Sequence, residues 1–512
     1  MSSIIKASLW LTLSELFFNL SGYVTHSILG RTLGPAEYGR YGLIITIATM
    51  MVVLIGRGVP IAMSKYLSEV WKTDPAQVNH IKKTGVTVQF FIIVLTTALY
   101  YFLAPAFANL LNDPSLTPLF RLSSFIIPAF ALASFYVYYF TGTQQFNIQS
   151  VLKFFRGFSK VFFIAILALF FSTKGAIIGH ALAPLSVFLL AFGIDWTKSR
   201  KLQRFGLEEE AGAKRATTEK AEPRCCEEIP SSTSTLPKLK ARSLLNFAWP
   251  ITLFMLFYEI MIHVDLYMVK GILQNDTLTG FYNASLTVGR LPYYAFYFLT
   301  IILLPKISES TANNTTKETK KIMTSAMRFL FMLIIPAVTL LAVFTPSALD
   351  FFYGGDYTPA TDALRVLSIG LGFLTVFYIL AFVLNGAGKN KIPMWTALVG
   401  LIINTVLSFY FISSFGIMGA ALATTITSFL IMIVAIIATE KYISSFLTFI
   451  PILKYFIATA VIGIIANYLP QGKFIFIFWS ILLLITYFAI LYLLKEIKAT
   501  DLKILKSALK KK

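Results

Sequence analysis

FYEIMIHVDLYMVKG, residues 257–271, is the stretch on which the reading of this chain turns. It lies inside 244–269, a run apolar and long enough to cross a hydrocarbon core of ~30 Å, which takes about 20 residues. Yet the run carries Glu259, His263 and Asp265. A charge at the bilayer centre costs about 2.5–3.5 kcal/mol on insertion scales, so such groups usually face a wet cavity or a partner. Entering from residue 244 at about 1.5 Å per residue, Glu259 lies near mid-membrane and Asp265 near the far edge. Glu259 and His263, four apart, share a helix face. Asp265 points elsewhere. The stretch therefore reads as a candidate cavity pair, Glu259 with His263, and a separate carboxylate. Asp265 is either a polar group of the cavity or an anchor at the outer rim near Lys270.

The rest of the chain supports a membrane reading. Its 512 residues are 57% hydrophobic and only 13% charged, against about 25% charged in soluble domains. Runs of roughly 20 apolar residues recur from end to end, where a β-barrel would show ~10-residue alternating segments. The fold class expected is all-α: a polytopic membrane protein of about fourteen transmembrane helices. The first six spans are placed at 7–29, 41–63, 86–110, 119–140, 152–171 and 176–196. Six more fall at 244–269, 281–304, 326–345, 363–386, 392–412 and 417–438, and a last pair at 448–468 and 473–494. The run 7–29 is too long for a signal peptide's apolar region and no small-residue cleavage site follows it, so it reads as the first span.

The net charge of +20 does not indicate nucleic acid. Lys and Arg sit between apolar runs and in a cluster at Lys503, Lys506, Lys510, Lys511 and Lys512. Anionic lipid heads and the positive-inside rule account for that placement. With the N-terminus inside, and charges at span edges counted with the adjoining loops, cytoplasmic segments hold 34 Lys/Arg, outer loops seven, and three (Arg57, Arg290 and Lys454) remain within spans. Both termini are therefore expected on the cytoplasmic side of the cell membrane. The segment 197–242 has almost no apolar material and cannot bury a core, so it is expected to be a flexible cytoplasmic linker. Cys225 and Cys226 lie in it as neighbours that cannot staple a fold; they match no metal spacing.

The two six-span blocks resemble each other. Gly39 and Lys65 flank the second span as Gly280 and Lys306 flank the eighth, both at an offset of 241 residues. Thr141–Gly142–Thr143 and Gly175–Ala176 bracket the fifth span as Asn385–Gly386–Ala387 and Gly419–Ala420 bracket the eleventh, at an offset of 244. Six spans is an even number, so the halves share one orientation. That predicts a parallel repeat about an axis along the membrane normal, with a cavity between the lobes. The organisation is then an N-terminal lobe, 1–196; the linker, 197–242; a C-terminal lobe, 243–440; and an extra helix pair with a basic tail, 441–512.

Polar residues of the spans point to the cavity. Glu15, Asn19 and His26 lie in the first span, the mate of the seventh. Arg57 lies in the second and Arg290 in the eighth, just before Pro292. Repeat symmetry would set these four spans around a central cleft. Cationic walls suit an anionic headgroup, because the guanidinium fork matches phosphate geometry. The competing reading is that Arg57–Glu15 and Arg290–Glu259 are ion pairs that hold helices together. Enzyme signatures are missing: there is no P-loop and no His-Glu-x-x-His zinc motif, and only four His exist. No cofactor and no metal are expected.

ILGRTLGPAEYGRYGLIITI (28–47), VDLYMVKGILQNDTLTGFYNASLTVGRLPYYAFYFLTIILLPKISES (264–310) and LNGAGKNKIPMWTALVGLIINTVLSFYFISSFGIMGAALATTITSF (384–429) carry a family resemblance. They resemble the polysaccharide-biosynthesis flippases of the multidrug/oligosaccharidyl-lipid/polysaccharide exporter superfamily. The resemblance covers most of the chain outside the linker and the last pair. It implies two six-helix lobes around a V-shaped cavity and alternating access. It implies transbilayer movement of a polyprenyl-phosphate-linked sugar, with the last two spans sheltering the lipid tail. Arg57 and Arg290 match the family's cavity arginines by position only.

The function expected is flipping of a polyprenyl-(di)phosphate-linked oligosaccharide for surface glycan assembly. Arg57 and Arg290 would bind the headgroup. Glu15, Asn19, His26, Glu259, His263 and Asp265 would serve ion coupling or line the cavity. Partners are the lipid-linked sugar, membrane lipids, H+ or Na+, and glycan-assembly enzymes; nucleic acid is not one. The alternatives are a cation-coupled multidrug exporter, a membrane-embedded polymerase or glycosyltransferase, and a non-transporting scaffold or scramblase.

Overall fold

The computed structural model describes residues 2–71, 75–216, 241–296, 316–443 and 449–496, with a few positions between 299 and 310. Among these the regular structure is helical. Nine helices are long and apolar enough to cross a membrane. Two of the nine, Phe146–Lys198 and Lys391–Tyr442, run to 53 and 52 residues. That is more than twice what one crossing takes, and each is broken in its middle. The nine are counted among the described residues only and are coarser than the fourteen spans expected.

The first lobe holds α1 (Ser2–Val70), α2 (Pro75–Leu110), α3 (Thr117–Ser123), α4 (Ile126–Gly142) and α5 (Phe146–Ala216). α1 is interrupted at Gly34 (φ 72°, ψ 172°), followed by Pro35, which cannot donate to the helix ladder. α5 continues to Ala216, so the first part of 197–242 is helical; residues 217–240, with Cys225 and Cys226, lie outside the described residues. The second lobe holds α6 (Ala241–Met261), α7 (Val264–Leu273), α8 (Asp276–Gly289), α9 (Leu291–Phe296), α10 (Thr316–Val343), α11 (Thr345–Tyr353), α12 (Thr361–Gly386) and α13 (Lys391–Tyr442). A final pair follows, α14 (Phe449–Asn467) and α15 (Ile475–Leu493).

The repeat is written into the backbone. α5 breaks at Ser172 (φ 49°, ψ −136°) and α13 at Gly416 (φ 58°, ψ −138°), which stand 244 residues apart. The turns that end α4 and α12 place Gln144 and Gly388, again 244 apart, at positive φ. Around the α1–α8 contact the offset is 241. There Gly39 faces the backbone of Gly280, and a Cβ on Gly280 would strike the Pro35 carbonyl. Gly42 likewise faces the Asn283 side chain. These repeat-related positions thus meet one another across the axis that relates the lobes, and only glycine lets the backbones come that close.

One end of the lobe interface is closed. Arg40 Nε lies 2.7 Å from Asp276 Oδ2, and Lys270 Nζ lies 2.7 Å from Asp113 Oδ2 and 2.6 Å from Asp276 Oδ1. The Tyr357 hydroxyl donates to the Gly30 carbonyl (3.0 Å), Tyr38 and Tyr353 share a hydroxyl–hydroxyl bond (2.9 Å), and Ser27 and Arg31 donate to the carbonyls of Phe352 and Phe351. The final helix pair packs on α10 through Leu340, Tyr455, Ile462 and Tyr487. Glu496 clasps it there, accepting from Arg328 (3.0 Å), Tyr455 (3.2 Å) and Lys454 (3.3 Å).

Candidate functional site

Between the lobes lies a cavity made of three adjoining pockets of about 290, 290 and 170 Å³, each lined by Phe18, Arg290 and Tyr294. Glu15, 39% exposed at its side chain, lines the wall away from the closed end. Both lobes contribute: α1, α4 and α5 from the first, α6, α8, α9 and α12 from the second, with His263 from the break between α6 and α7.

The seventh span shows how a helix tolerates Glu259 and His263. It is discontinuous: α6 ends at Met261 and α7 begins at Val264, with His263 at φ −128° between them. The break frees the Ile262 carbonyl, and Arg290 at the end of α8 donates to it at 2.9 Å. Irregular backbone at membrane depth is tolerated where it is buried in protein or lines a cavity. The second Arg290 nitrogen lies 3.4 Å from His263 Nε2, whose Nδ1 is bonded to the Glu259 carbonyl (3.0 Å). Glu259, His263 and Arg290 therefore share one wall.

Opposite stand Arg156 and Lys160 of α5. The Arg156 guanidinium lies between the rings of Phe18 (4.7 Å) and Phe130 (4.3 Å), an arrangement that fixes its plane. Lys160 also approaches Phe18 (5.7 Å). One turn before Arg156, Lys153 pairs with Glu15 at 2.6 Å. His26 is bonded to the Tyr38 hydroxyl (2.9 Å) and His180 to that of Tyr41 (3.1 Å). The lining thus sets three cations, Arg156, Lys160 and Arg290, against two carboxylates, Glu15 and Glu259. Glu15 is already neutralised by Lys153.

Of the residues singled out in the sequence, Glu15, Asn19, His26, Glu259, His263 and Arg290 come together on this cavity. The side chain of Arg57 lies outside the described residues. Asp265 is not on the cavity lining. It is fully buried in the second lobe, where it accepts from Tyr282 (2.5 Å), Thr424 (2.7 Å) and its neighbour's backbone N–H (2.8 Å). The rim position beside Lys270 is corrected accordingly: Lys270 is taken by Asp113 and Asp276. Asn404 stands beside the Asp265 cluster, its Oδ1 3.5 Å from the Thr424 hydroxyl.

Arg156 and Lys160 were missed because basic residues in the first turns of a span look like cytoplasmic edge charges, which snorkel outward. The available signal was their spacing. Lys153, Arg156 and Lys160 stand three and four apart, one stripe on one helix face.

A family model described as polysaccharide biosynthesis protein matches residues 4–311, and one described as lipid II flippase MurJ matches 231–492. The chain is similar to stage V sporulation protein B of Bacillus subtilis, 23% identical over 441 residues, which are 82% of this chain and 80% of that protein. Its fold is that of a lipid II flippase MurJ in the inward closed conformation (TM-score 0.70, 14% identity, 94% of this chain and 98% of that one). It is also that of an inward-facing multidrug resistance MATE family transporter of the MOP superfamily (TM-score 0.65, 12% identity, 85% and 98%). The proteins these comparisons name by activity are flippases and transporters, not catalysts.

Proposed function

We propose that this chain, which belongs to the polysaccharide biosynthesis protein family, moves a polyprenyl-(di)phosphate-linked oligosaccharide across the bilayer by alternating access. The observation that carries the reading is the set of three cations, Arg156, Lys160 and Arg290, that two lobes present to one cavity. A phosphate or diphosphate headgroup is the ligand such a wall complements, and bidentate guanidinium–phosphate bonds hold it in one orientation. The sugar occupies the remaining polar volume while the lipid chain stays in the bilayer. Because the cations come from both lobes, a bound anion is shared across the interface, and rocking of the lobes passes it from one side to the other. Relatives that carry the name lipid II flippase support the substrate class.

In this reading the protein sits in the cell membrane with both termini cytoplasmic. The lobes are 1–196 and 243–440, joined by 197–242, with 441–512 as an added pair and tail. It works beside glycan-assembly enzymes, which supply and remove the substrate. Coupling to H+ or Na+ falls to the acidic groups. Glu259 and His263 serve on the cavity wall with Asn19 and His26 nearby, and Glu15 exchanges between Lys153 and solvent. Asp265 serves inside the second lobe, where hydroxyls and Asn404 could share a small cation.

The likeness to a multidrug transporter makes a cation-coupled exporter the second reading. A cavity for cationic drugs calls for net negative charge, and this lining has the opposite balance. Binding distinguishes the two. Purified protein should retain a fluorescent polyprenyl-diphosphate sugar over the matching neutral polyprenyl sugar, and Arg156→Ala and Arg290→Ala should each erase the preference. Equal retention of both lipids, with tighter binding of a cationic dye, would overturn the proposal in favour of the exporter.

A further inference from the structure

A second cavity shares no residue with the first. It is a groove of about 680 Å³ between α2, α4 and the second half of α5, lined among others by Phe125, Leu132, Phe135 and Phe192. Phe125 and Phe192 are 59% and 48% exposed, so the groove opens on the bundle's outer, lipid-facing surface. Its lining is apolar with one anomaly. Gln89 is 2% exposed, and both its amide oxygen and its amide nitrogen lack a hydrogen-bond partner. The Thr97 hydroxyl, two turns on, also lacks one. Buried side-chain amides are ordinarily satisfied, so an orphaned one beside an open groove points to a ligand.

The polar groups are ordered. Lys82, Val86, Gln89, Ile93 and Thr97 follow one another at intervals of four, three, four and four, a single face of α2. At its start Lys82 pairs with Asp195 of α5, and its ammonium lies over the rings of Tyr139 (4.6 Å) and Tyr136 (5.7 Å). Tyr136 belongs to the groove wall, so the ion pair caps the groove. From Lys82 to Gln89 the helix rises about 10 Å, and from Gln89 to Tyr101 about 18 Å. That is a charged end, one amide at the depth of the lipid esters, and an apolar slot as long as one leaflet, half of ~30 Å.

We propose that this groove is a binding site for one zwitterionic, ethanolamine-type phospholipid from the leaflet on the Lys82 side. Its phosphate lies against Lys82 and its ammonium against Asp195. A glycerol ester carbonyl accepts from the Gln89 amide, and one acyl chain fills the slot along Leu132, Phe135 and Phe125. The Lys82–Asp195 pair selects the headgroup: a lipid with a phosphate and no ammonium would leave Asp195 facing a second anion.

The test is native mass spectrometry of the full-length protein titrated with phosphatidylethanolamine or phosphatidylglycerol. One phosphatidylethanolamine should be retained with roughly tenfold preference, about 1.4 kcal/mol. Gln89→Leu should weaken that retention, and Ala98→Trp, which fills the slot, should abolish it. Asp195→Asn should move the preference toward phosphatidylglycerol while retention persists, an outcome unfolding cannot imitate. Equal retention of the two lipids by the wild type, or an unmoved preference in Asp195→Asn, would overturn the proposal.

Discussion

Replacing Lys270 by Ala should loosen the closed end of the bundle. The Lys270 ammonium is 4% exposed and bridges Asp113 of the first lobe and Asp276 of its own at 2.7 and 2.6 Å. After the change Asp276 keeps Arg40, while Asp113 keeps only Ser115. An exposed ion pair contributes 0–1 kcal/mol, whereas stripping one partner from a buried pair costs about 3–5 kcal/mol. The two carboxylates are 16% and 17% exposed, so the loss falls between these limits, about 2–3 kcal/mol. The Lys270–Asp113 contact exists only while the lobes meet, so the loss is taken from the closed state. The closed-to-open ratio should drop roughly 30- to 150-fold. The assay is a spin-label distance between Thr32→Cys and Thr358→Cys in protein whose Cys225 and Cys226 are Ser. Lys270→Ala should add a long-distance population and Lys270→Arg should add little. Acid should act through the same carboxylate. Burial alone would raise the Asp113 carboxyl, but the Lys270 ammonium and the Ser115 donors outweigh it and hold it below its ordinary 3.8. With its value depressed in the closed state, Asp113 favours closure above pH 3.8, and that contribution is lost as pH falls through the depressed value. An unchanged distance distribution in Lys270→Ala would refute the reasoning.

Other perturbations address different parts of the molecule. Gly280→Leu puts a side chain against the Pro35 carbonyl and should prevent closure; the same spin-label pair should report only long distances, and transport should fall to background. Asp265→Asn keeps the shape of the buried cluster with Tyr282 and Thr424 but removes its charge. If Asp265 couples an ion, transport by this variant should lose its dependence on an imposed H+ or Na+ gradient; an unaltered gradient dependence would assign coupling elsewhere. Glu496→Ala removes the buried carboxylate that Arg328 and Lys454 share, a loss of about 3 kcal/mol. It should free the final helix pair, measured as faster trypsin cleavage after Lys441 and a lower thermal midpoint.

How much could be read beforehand depended on how local the signal was. Hydrophobic run length alone was enough for the helical membrane class. The repeat was legible because its markers are glycines that the backbone requires. Gly39 and Gly280 allow the lobes to touch, and a Cβ on Gly175 or Gly419 would strike the carbonyl of Leu167 or Phe411. Arg290 and the pair Glu259 and His263 stood out as ionisable groups deep in apolar runs. What failed was partner assignment. Lys270 looked adjacent to Asp265, yet its partners include Asp113, 157 residues away, because α7 turns its face toward the lobe interface. Asp265 could not be placed, since its ligands Tyr282 and Thr424 come from α8 and α13 and no local pattern joins them. Arg156 and Lys160 were hidden by the rule that makes span-edge cations look cytoplasmic; only the tertiary placement of α5 against Phe18 and Phe130 turns them inward.

The central claim is that an anionic lipid-linked sugar crosses through the cationic cavity. Proteoliposomes carrying the wild type, or the double variant Arg156→Ala with Arg290→Ala, test it with a short fluorescent polyprenyl-diphosphate sugar. The readout is protection of the label from a membrane-impermeant quencher. Protein-dependent movement by the wild type, lost in a double variant that still folds and inserts, is the predicted result. Movement at the same rate in both preparations would contradict the claim, because the two guanidinium groups of the cationic wall would then have no part in carrying the headgroup.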